Sequence, residues 1–442
     1  MNKKIIWILL AIVSLIGLWN LQHNKSMKSD ADQDKLRYLS LAWQEQSIAA
    51  NKAIVADWNL RHPDMEVDYI QGTWNSIHDY LITSFETKET PDIFHYESAI
   101  IVDFAIRGFL ADMRPYIEQE MYSDILDIAW ESVTRSGGEI CGIPFLMESF
   151  IVLYNKEIFE KNGIEVPSFE TPWTWDEMRH AALALTQDTD GDGSVDQWGV
   201  AMGLRSAANI IMNHSIGFGG SFFIKENDLY TVRVGSAEKQ LLDLIMDMLY
   251  VDRSMAPSSI GKTGAAMLPE FFSDKYAMMV GIGSWARQQI VENAPTGFQW
   301  GVIPPLKAQS QDIGINTQTL SIPVTSNRKE QAMAFISFML NRDNMASLAG
   351  SDWMIPTRKS CLEMDQFNTV PDGWQIVTYS VRFLKSGSWL GVPGYVEWKT
   401  RVANPIFQEL FADRYTVSEA AERLEIESNM VLSRYQRGGA RW

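Results

Sequence analysis

Apolar and polar positions change period along this chain in a way that predicts alternating strands and helices. Leu36 to Trp43 is a mostly apolar run of strand character. From Gln46 to Arg61 the spacing becomes helical, with Ile48, Val55 and Trp58 on one face and Pro63 just past the end. Glu66 to Ile70 alternates as a strand, and Ile77 to Glu86 is helical again. Pro91 introduces a short apolar strand, Asp92 to His95, and a helix over Ser98 to Arg107 stops at Gly108. Strands alternating with helices of this length predict a parallel sheet covered by helices.

The middle of the chain is more helical. Thr174-Trp-Asp-Glu177 has the spacing of a capping box, which starts a helix running to about Thr186. Leu241, Leu244, Ile245, Met248 and Leu249 stripe a helix from Glu238 to Tyr250. Lys275 to Ile282 is an apolar strand that ends at Gly283. Ala332, Phe335, Ile336 and Met339 mark a further amphipathic helix. These stripes are core positions and carry no function of their own. No internal repeat or low-complexity linker divides the chain.

Length changes this picture, because 442 residues exceed one ordinary core and suit two domains. With 46% hydrophobic and 21% charged residues, the chain is globular rather than disordered. A formal net charge of −17 argues against nucleic acid or an anionic bilayer as partner. At the N-terminus Lys3 and Lys4 precede the apolar run Ile5 to Trp19, which is short for a span of roughly 20 residues. Residues 1–35 therefore read as an export signal or membrane anchor plus linker. No small-x-small triplet marks a cleavage site and no cysteine follows the run. The expected location is extracytoplasmic, in a periplasm or on the outer face of the cytoplasmic membrane, without lipid attachment. Cys141 and Cys361 fit no metal spacing. A disulfide between them would suit export, but the sequence leaves it open.

Several segments, in order, resemble family 1 extracellular solute-binding proteins, the group that includes maltodextrin-binding protein. They are Thr90-Pro-Asp-Ile-Phe-His-Tyr-Glu97 with Gly108-Phe-Leu-Ala-Asp112; Gly142-Ile-Pro-Phe-Leu-Met-Glu148 running into Val152-Leu-Tyr-Asn-Lys156; Thr174-Trp-Asp-Glu177; Met279-Val-Gly-Ile-Gly-Ser-Trp285; Trp300-Gly-Val-Ile-Pro304; Ile322-Pro323; and Ile355-Pro-Thr-Arg-Lys359. No segment is specific alone; their shared order over about residues 36–360 carries the resemblance. It implies an α/β, two-lobed periplasmic-binding-protein-like fold of type II with a ligand cleft between the lobes. By matching segments, lobe one would hold 36–147 with 306–350, and lobe two 148–305 with 351–442. The lobes would close by a hinge motion. The implied partners are a carbohydrate ligand and the permease subunits of an ABC importer, for a protein expected to act as a monomer.

In open parallel sheets, ligands sit at the carboxyl ends of strands. Trp43, Gln44 and Glu45 follow the first strand; Glu97 and Ser98 follow Asp92–His95; Glu148 follows Ile143–Leu146; Ser284 and Trp285 follow Lys275–Ile282. Carboxylates, an amide and tryptophans in such places suit a sugar, whose apolar face stacks on indole while its hydroxyl rim pairs with carboxylates. The ligand-binding candidates are Trp43, Glu45, Glu97, Glu148, Trp285 and Trp389. Trp389 is included because Gly387 to Gly394 reads as an exposed loop. Trp353, Tyr395 and Trp398 are weaker stacking candidates. Against these stand plainer readings: Trp285 as core, and Glu97 and Glu148 as residues favoured by a helix dipole.

The sharpest local motif is Asp188-Thr-Asp190-Gly-Asp192-Gly-Ser194-Val-Asp196. It places oxygen donors at the positions that begin an EF-hand-type calcium loop, with Gly193 at the sharp turn. Gly199 stands where the full loop carries its bidentate Glu. One structural Ca2+ held by Asp188, Asp190, Asp192, Ser194 and Asp196 is the expectation; an Asp/Gly-rich turn is the alternative. No organic cofactor is expected. Glu97 and Glu148 offer the paired carboxylates of a carbohydrate-active enzyme as a rival reading, yet the chain has no nucleophile elbow, phosphate loop or histidine cluster. A receptor presenting its ligand to a membrane sensor is the other rival reading.

Overall fold

The computed structural model describes residues 35–437 apart from 228 and 372; the N-terminal apolar run expected to act as an export signal or membrane anchor lies outside them. Among the described residues fourteen strands follow in order: β1 (Leu36–Ser40), β2 (Val67–Gln71), β3 (Ile93–Glu97), β4 (Ile143–Glu148), β5 (Phe150–Asn155), β6 (Trp198–Ala201), β7 (Phe223–Glu226), β8 (Leu229–Val232), β9 (Tyr276–Gly283), β10 (Trp300–Ile303), β11 (Ile313–Gly314), β12 (Asn316–Ser321), β13 (Ile355–Pro356) and β14 (Leu384–Lys385). They build a six-stranded sheet, β13-β4-β12-β3-β1-β2, and a four-stranded sheet, β10-β5-β9-β6. β1 pairs in parallel with β2 and β3, while β12 runs antiparallel between β3 and β4.

The inner strands β5 and β9 are buried on two faces, which is why they read as continuous apolar runs, whereas the edge strand β2 keeps exposed positions and alternates. β9 is buried along its whole length. The capping box forms: Glu177 N–H donates to Thr174 Oγ1 at 3.1 Å, and Thr174 N–H donates to Glu177 Oε2 at 2.7 Å. Pro144 in β4 has no N–H to give, and the β4–β12 register shifts at its partner, between Gln318 and Thr319. The hairpin β7–β8 has its outer backbone groups satisfied by the helix Val417–Arg437. Asn429 accepts from Val232 N–H at 2.8 Å, Glu425 from Val234 N–H at 2.7 Å and Gln436 from Tyr230 N–H at 2.7 Å. An edge strand covered in this way cannot recruit another chain.

The chain passes between the sheets at Ser149, between β4 and β5, and again between β10 and β12. The lobe boundaries differ here from the sequence expectation in two places. Residues 306–315 stay with the second sheet: Lys307 N–H reaches Trp173 O at 2.9 Å, Ser310 N–H reaches Gly217 O at 3.0 Å, and β11 pairs with β14. Residues 351–362 stay with the first sheet. β13 pairs with β4, and the buried Arg358 guanidinium holds Glu120 and Asp124 at 2.7 and 2.9 Å. A two-residue strand leaves no periodicity to read, so this return was invisible in the sequence. Cys141 and Cys361 are both buried free thiols.

Candidate ligand-binding cleft

The carboxyl ends of β1, β3 and β4 and the start of β12 meet at one edge of the six-stranded sheet. β12 is the reason: its register sets Asn316 opposite Glu148 and Gln318 opposite Glu97. His95 ties this edge together. Its Nδ1 accepts from Leu41 N–H at 3.2 Å, so Nε2 carries the proton toward Gln318 Oε1 at 2.7 Å. Burial drives its pKa down to about 4, which keeps this hydrogen-bonded tautomer neutral. The residue is structural.

Above that edge stand two tryptophans. Trp285 follows β9, and Trp43 follows β1. Their rings meet edge to face at 5.5 Å and 74°, a favoured aromatic geometry. Trp43 is 44% exposed, and Trp285 keeps a partial solvent face. Glu148 lies beside them. Its Oε2 accepts from Asn316 Nδ2 at 3.1 Å. Burial pushes its pKa up to about 7, against hydrogen bonds from Asn316 and the Trp285 indole; the charges of Glu97 and Asp352 add to the rise. Gly283 makes room for this arrangement. A Cβ there would sit 1.8 Å from Glu148 Oε1 and 2.2 Å from Trp285 Nε1, so no other residue fits without displacing both groups.

Next to this cluster lies a cavity of about 590 Å³, whose lining includes Trp74, Tyr96, Glu97 and Asp103 from the first lobe and Glu397 and Lys399 from the second. Two contacts bridge it. Lys399 Nζ lies 3.3 Å from Glu97 Oε1, and Gly394 N–H donates to Asp103 Oδ1 at 3.2 Å. Lys399 opens a π-helical turn, Lys399–Ala403, a local irregularity often found at functional sites. On the other side, Gln289 Nε2 donates to Gln44 Oε1 at 3.0 Å, and Gln44 Nε2 donates to Asp352 Oδ1 at 2.6 Å. The helix after Trp285 is anchored by Arg287, which is fully buried, donates to Trp353 O at 2.9 Å and lies over the rings of Trp353 and Trp374.

Of the residues named from sequence, Trp43, Glu148 and Trp285 come together, and Glu97 lines the adjoining cavity. Glu45 is exposed in the first turn of the helix Glu45–Arg61, where the helix dipole favours a carboxylate. Trp389 is a correction: it is 2% exposed. Its ring folds back over two glycines; a Cβ at Gly387 or Gly314 would approach it to 2.2 or 2.8 Å. The glycines that suggested an exposed loop instead make room for a buried indole. Tyr395 and Trp398 are likewise buried, and Trp398 Nε1 donates to Ser428 Oγ at 2.6 Å. Trp353 stacks on Trp374 at 5.6 Å. Trp74 and Lys399 were missed. Trp74 follows the end of β2, so the strand-end rule applied to that strand would have found it. Lys399 has no local signal, since its partner Glu97 is 302 residues away.

In the aspartate loop, the carboxylates of Asp188, Asp190 and Asp196 lie within 4.8 Å of one another. Asp188 accepts from Gly191 N–H at 2.6 Å and Gly193 N–H at 2.7 Å. Those bonds, that of Gly193 foremost, hold its pKa below the usual carboxylate range. Asp192 and Ser194 lie outside the group of three; Asp192 Oδ1 accepts from Ser194 N–H at 2.7 Å.

Two α/β lobes joined by crossing segments, with aromatic and carboxylate groups at the strand ends between them, define the two-lobed binding-protein class. Residues 42–346 match the model of the bacterial extracellular solute-binding protein family, and the chain belongs to that family. A Streptomyces antibioticus protein named "uncharacterized lipoprotein in oleD 5'region" is 38% identical over 387 residues, 87% of this chain and 84% of its own length. The diacetylchitobiose-binding protein DasA of Streptomyces coelicolor is 23% identical over 297 residues, 65% of each chain. Among solved structures, the sugar-binding protein MalE from Xanthomonas citri superposes with a TM-score of 0.77 at 16% identity, covering 91% of this chain and 98% of its own. An ABC substrate-binding protein from Listeria monocytogenes in complex with cycloalternan gives 0.76 at 20%, covering 90% and 99%. Among the described residues no helix is long and apolar enough to cross a membrane.

Proposed function

We propose that this solute-binding protein captures a carbohydrate, an oligosaccharide, in the interlobe cleft and hands it unaltered to the permease subunits of an ABC importer. The observation that carries the reading is the pair Trp43 and Trp285 standing beside Glu148 and Asn316. Indole faces take the apolar side of a pyranose, and a carboxylate and an amide take its hydroxyls. Two relatives named for sugars, an arabinooligosaccharide-binding protein and the diacetylchitobiose-binding protein DasA, support the same reading. The carboxylates are placed for holding rather than for hydrolysis: Glu97 pairs with Lys399, and Glu148 is bound by an amide and an indole. A thermal-shift screen against sugars, oligosaccharides and polyols is expected to find a stabilising ligand, since a bound solute stabilises by mass action. Chromatography of that ligand after long incubation is expected to return it intact. Turnover of many equivalents would show an enzyme instead.

The same reading places the protein outside the cytoplasmic membrane, exported by the N-terminal segment and working as a monomer. The S. antibioticus relative is named a lipoprotein. The two cysteines here, Cys141 and Cys361, are buried thiols, which supports export without lipid attachment at either of them. The aspartate loop is the place for one structural Ca2+. Asp188, Asp190 and Asp196 supply hard oxygen donors of the kind calcium takes, with Asp192 and Ser194 completing the shell after a small rearrangement. EDTA is expected to lower the melting temperature, and Asp188→Ala with Asp190→Ala to abolish that effect. Identical melting with and without calcium would leave the loop a plain turn.

A further inference from the structure

Resting on sugar capture as proposed above, we infer that Glu148 selects the charge of the solute: amine-bearing sugars bind best, neutral sugars next, and anionic sugars such as uronates worst. Glu148 ends β4 inside the cleft, and the groups that hold it, Asn316 and the Trp285 indole, are neutral donors. The nearby charges that act on it are Glu97 and Asp352, both acidic. An ionised carboxylate has about four acceptor positions, so two neutral donors leave positions for the solute. A hydroxyl or an ammonium fills them. A solute carboxylate meets like charge.

Among the described residues, the Lys and Arg side chains that line the cavity are already engaged. Lys399 is held by Glu97 at 3.3 Å and lies 5.4 Å from the centre of the Tyr395 ring. Arg107 pairs with Asp103 at 3.8 Å and lies over Phe109 at 4.8 Å. Arg401 pairs with Glu397 at 3.6 Å. An anionic sugar that recruited Lys399 would leave Glu97 without its partner on the same sheet edge as Glu148. The exposed faces of Trp43 and Trp285 act in the same direction, because the aromatic quadrupole attracts an ammonium and repels a carboxylate.

The test starts from a panel of α- and β-linked gluco-, galacto- and manno-oligosaccharides. For the linkage that binds, it then compares by calorimetry the neutral disaccharide with its glucosamine-type and uronate analogues. At a pH of about 8.5, above the pKa of about 7 that burial gives Glu148, the uronate is expected to bind at least about tenfold more weakly than the neutral parent, because like charges meet. The amine is expected to bind at least as tightly as the parent. Glu148→Gln keeps the shape and removes the charge, and should bring uronate and neutral sugar to within about threefold of each other. Glu97→Gln frees Lys399 and should raise uronate affinity without helping the neutral sugar. Melting temperature without ligand checks that each variant folds; if Glu148→Gln does not, the wild-type ranking and Glu97→Gln still decide. A wild type that binds uronate as tightly as the neutral parent overturns the inference while leaving sugar capture standing. If no sugar of any linkage or charge binds, sugar capture fails and the inference falls with it.

Discussion

Replacing Trp285 with Ala is expected to weaken binding of the cognate sugar by about 2 kcal/mol or more, roughly thirtyfold, while the unliganded protein melts almost unchanged. The indole stands at the end of β9 with a partial solvent face and its edge against Trp43. A rigid flat ring stacks on a sugar face with little loss of entropy, so one such contact can dominate an interface. Its N–H also helps to hold Glu148, so truncation removes a platform and loosens a neighbouring hydrogen-bonding group together. Because the ring supports the cleft more than the core, the cost falls on affinity. Calorimetric titration and a melting curve of the same variant check both halves. A variant that melts much lower yet binds normally while folded would place Trp285 in the core and refute the assignment.

Trp389→Ala is expected to behave in the opposite way, losing about 3–5 kcal/mol of stability, the usual cost of truncating a buried aromatic. That corresponds to a fall in melting temperature of about 6 °C or more for lobes of this size. The side chain is 2% exposed and fills space that Gly314 and Gly387 leave open, so its loss leaves a cavity beside the β11–β14 pair. Melting of the unliganded variant measures this directly. Under conditions where it remains folded, affinity should stay close to wild type. A thirtyfold loss of affinity with unchanged melting would instead return Trp389 to the cleft.

These two tryptophans show how far local reading reaches. Both follow glycine, and both stand among small residues: Gly283-Ser-Trp285 and Gly387-Ser-Trp389. The place of Trp285 after a buried strand predicts a cleft position, and the structure puts it where a strand end of the second lobe opens toward Trp43 of the first. Trp389 was assigned from the glycines around it, and those glycines serve packing. Flexibility and close approach are both properties of glycine, and only the neighbours in space distinguish them. The strand-end rule finds Glu148 but not its raised pKa, because that depends on the desolvation of a closed edge and on the charges of Glu97 and Asp352, both far away in the sequence.

The sequence by itself determined the alternation of strands and helices, the apolar faces that bury them, the capped start of the helix at Thr174 and the positions just past strand ends where solute chemistry gathers. These follow from periodicity and from side-chain chemistry a few residues apart, which the chain carries locally. The tertiary structure alone decided where the lobes divide and which charges pair. Residues 351–362 return to the first sheet through β13, and Lys399 meets Glu97 across 302 positions. The physical reason is the same in each case. A two-residue strand or a single ion pair has no repeating pattern, and its partner is chosen by the packing of whole lobes rather than by neighbours along the chain.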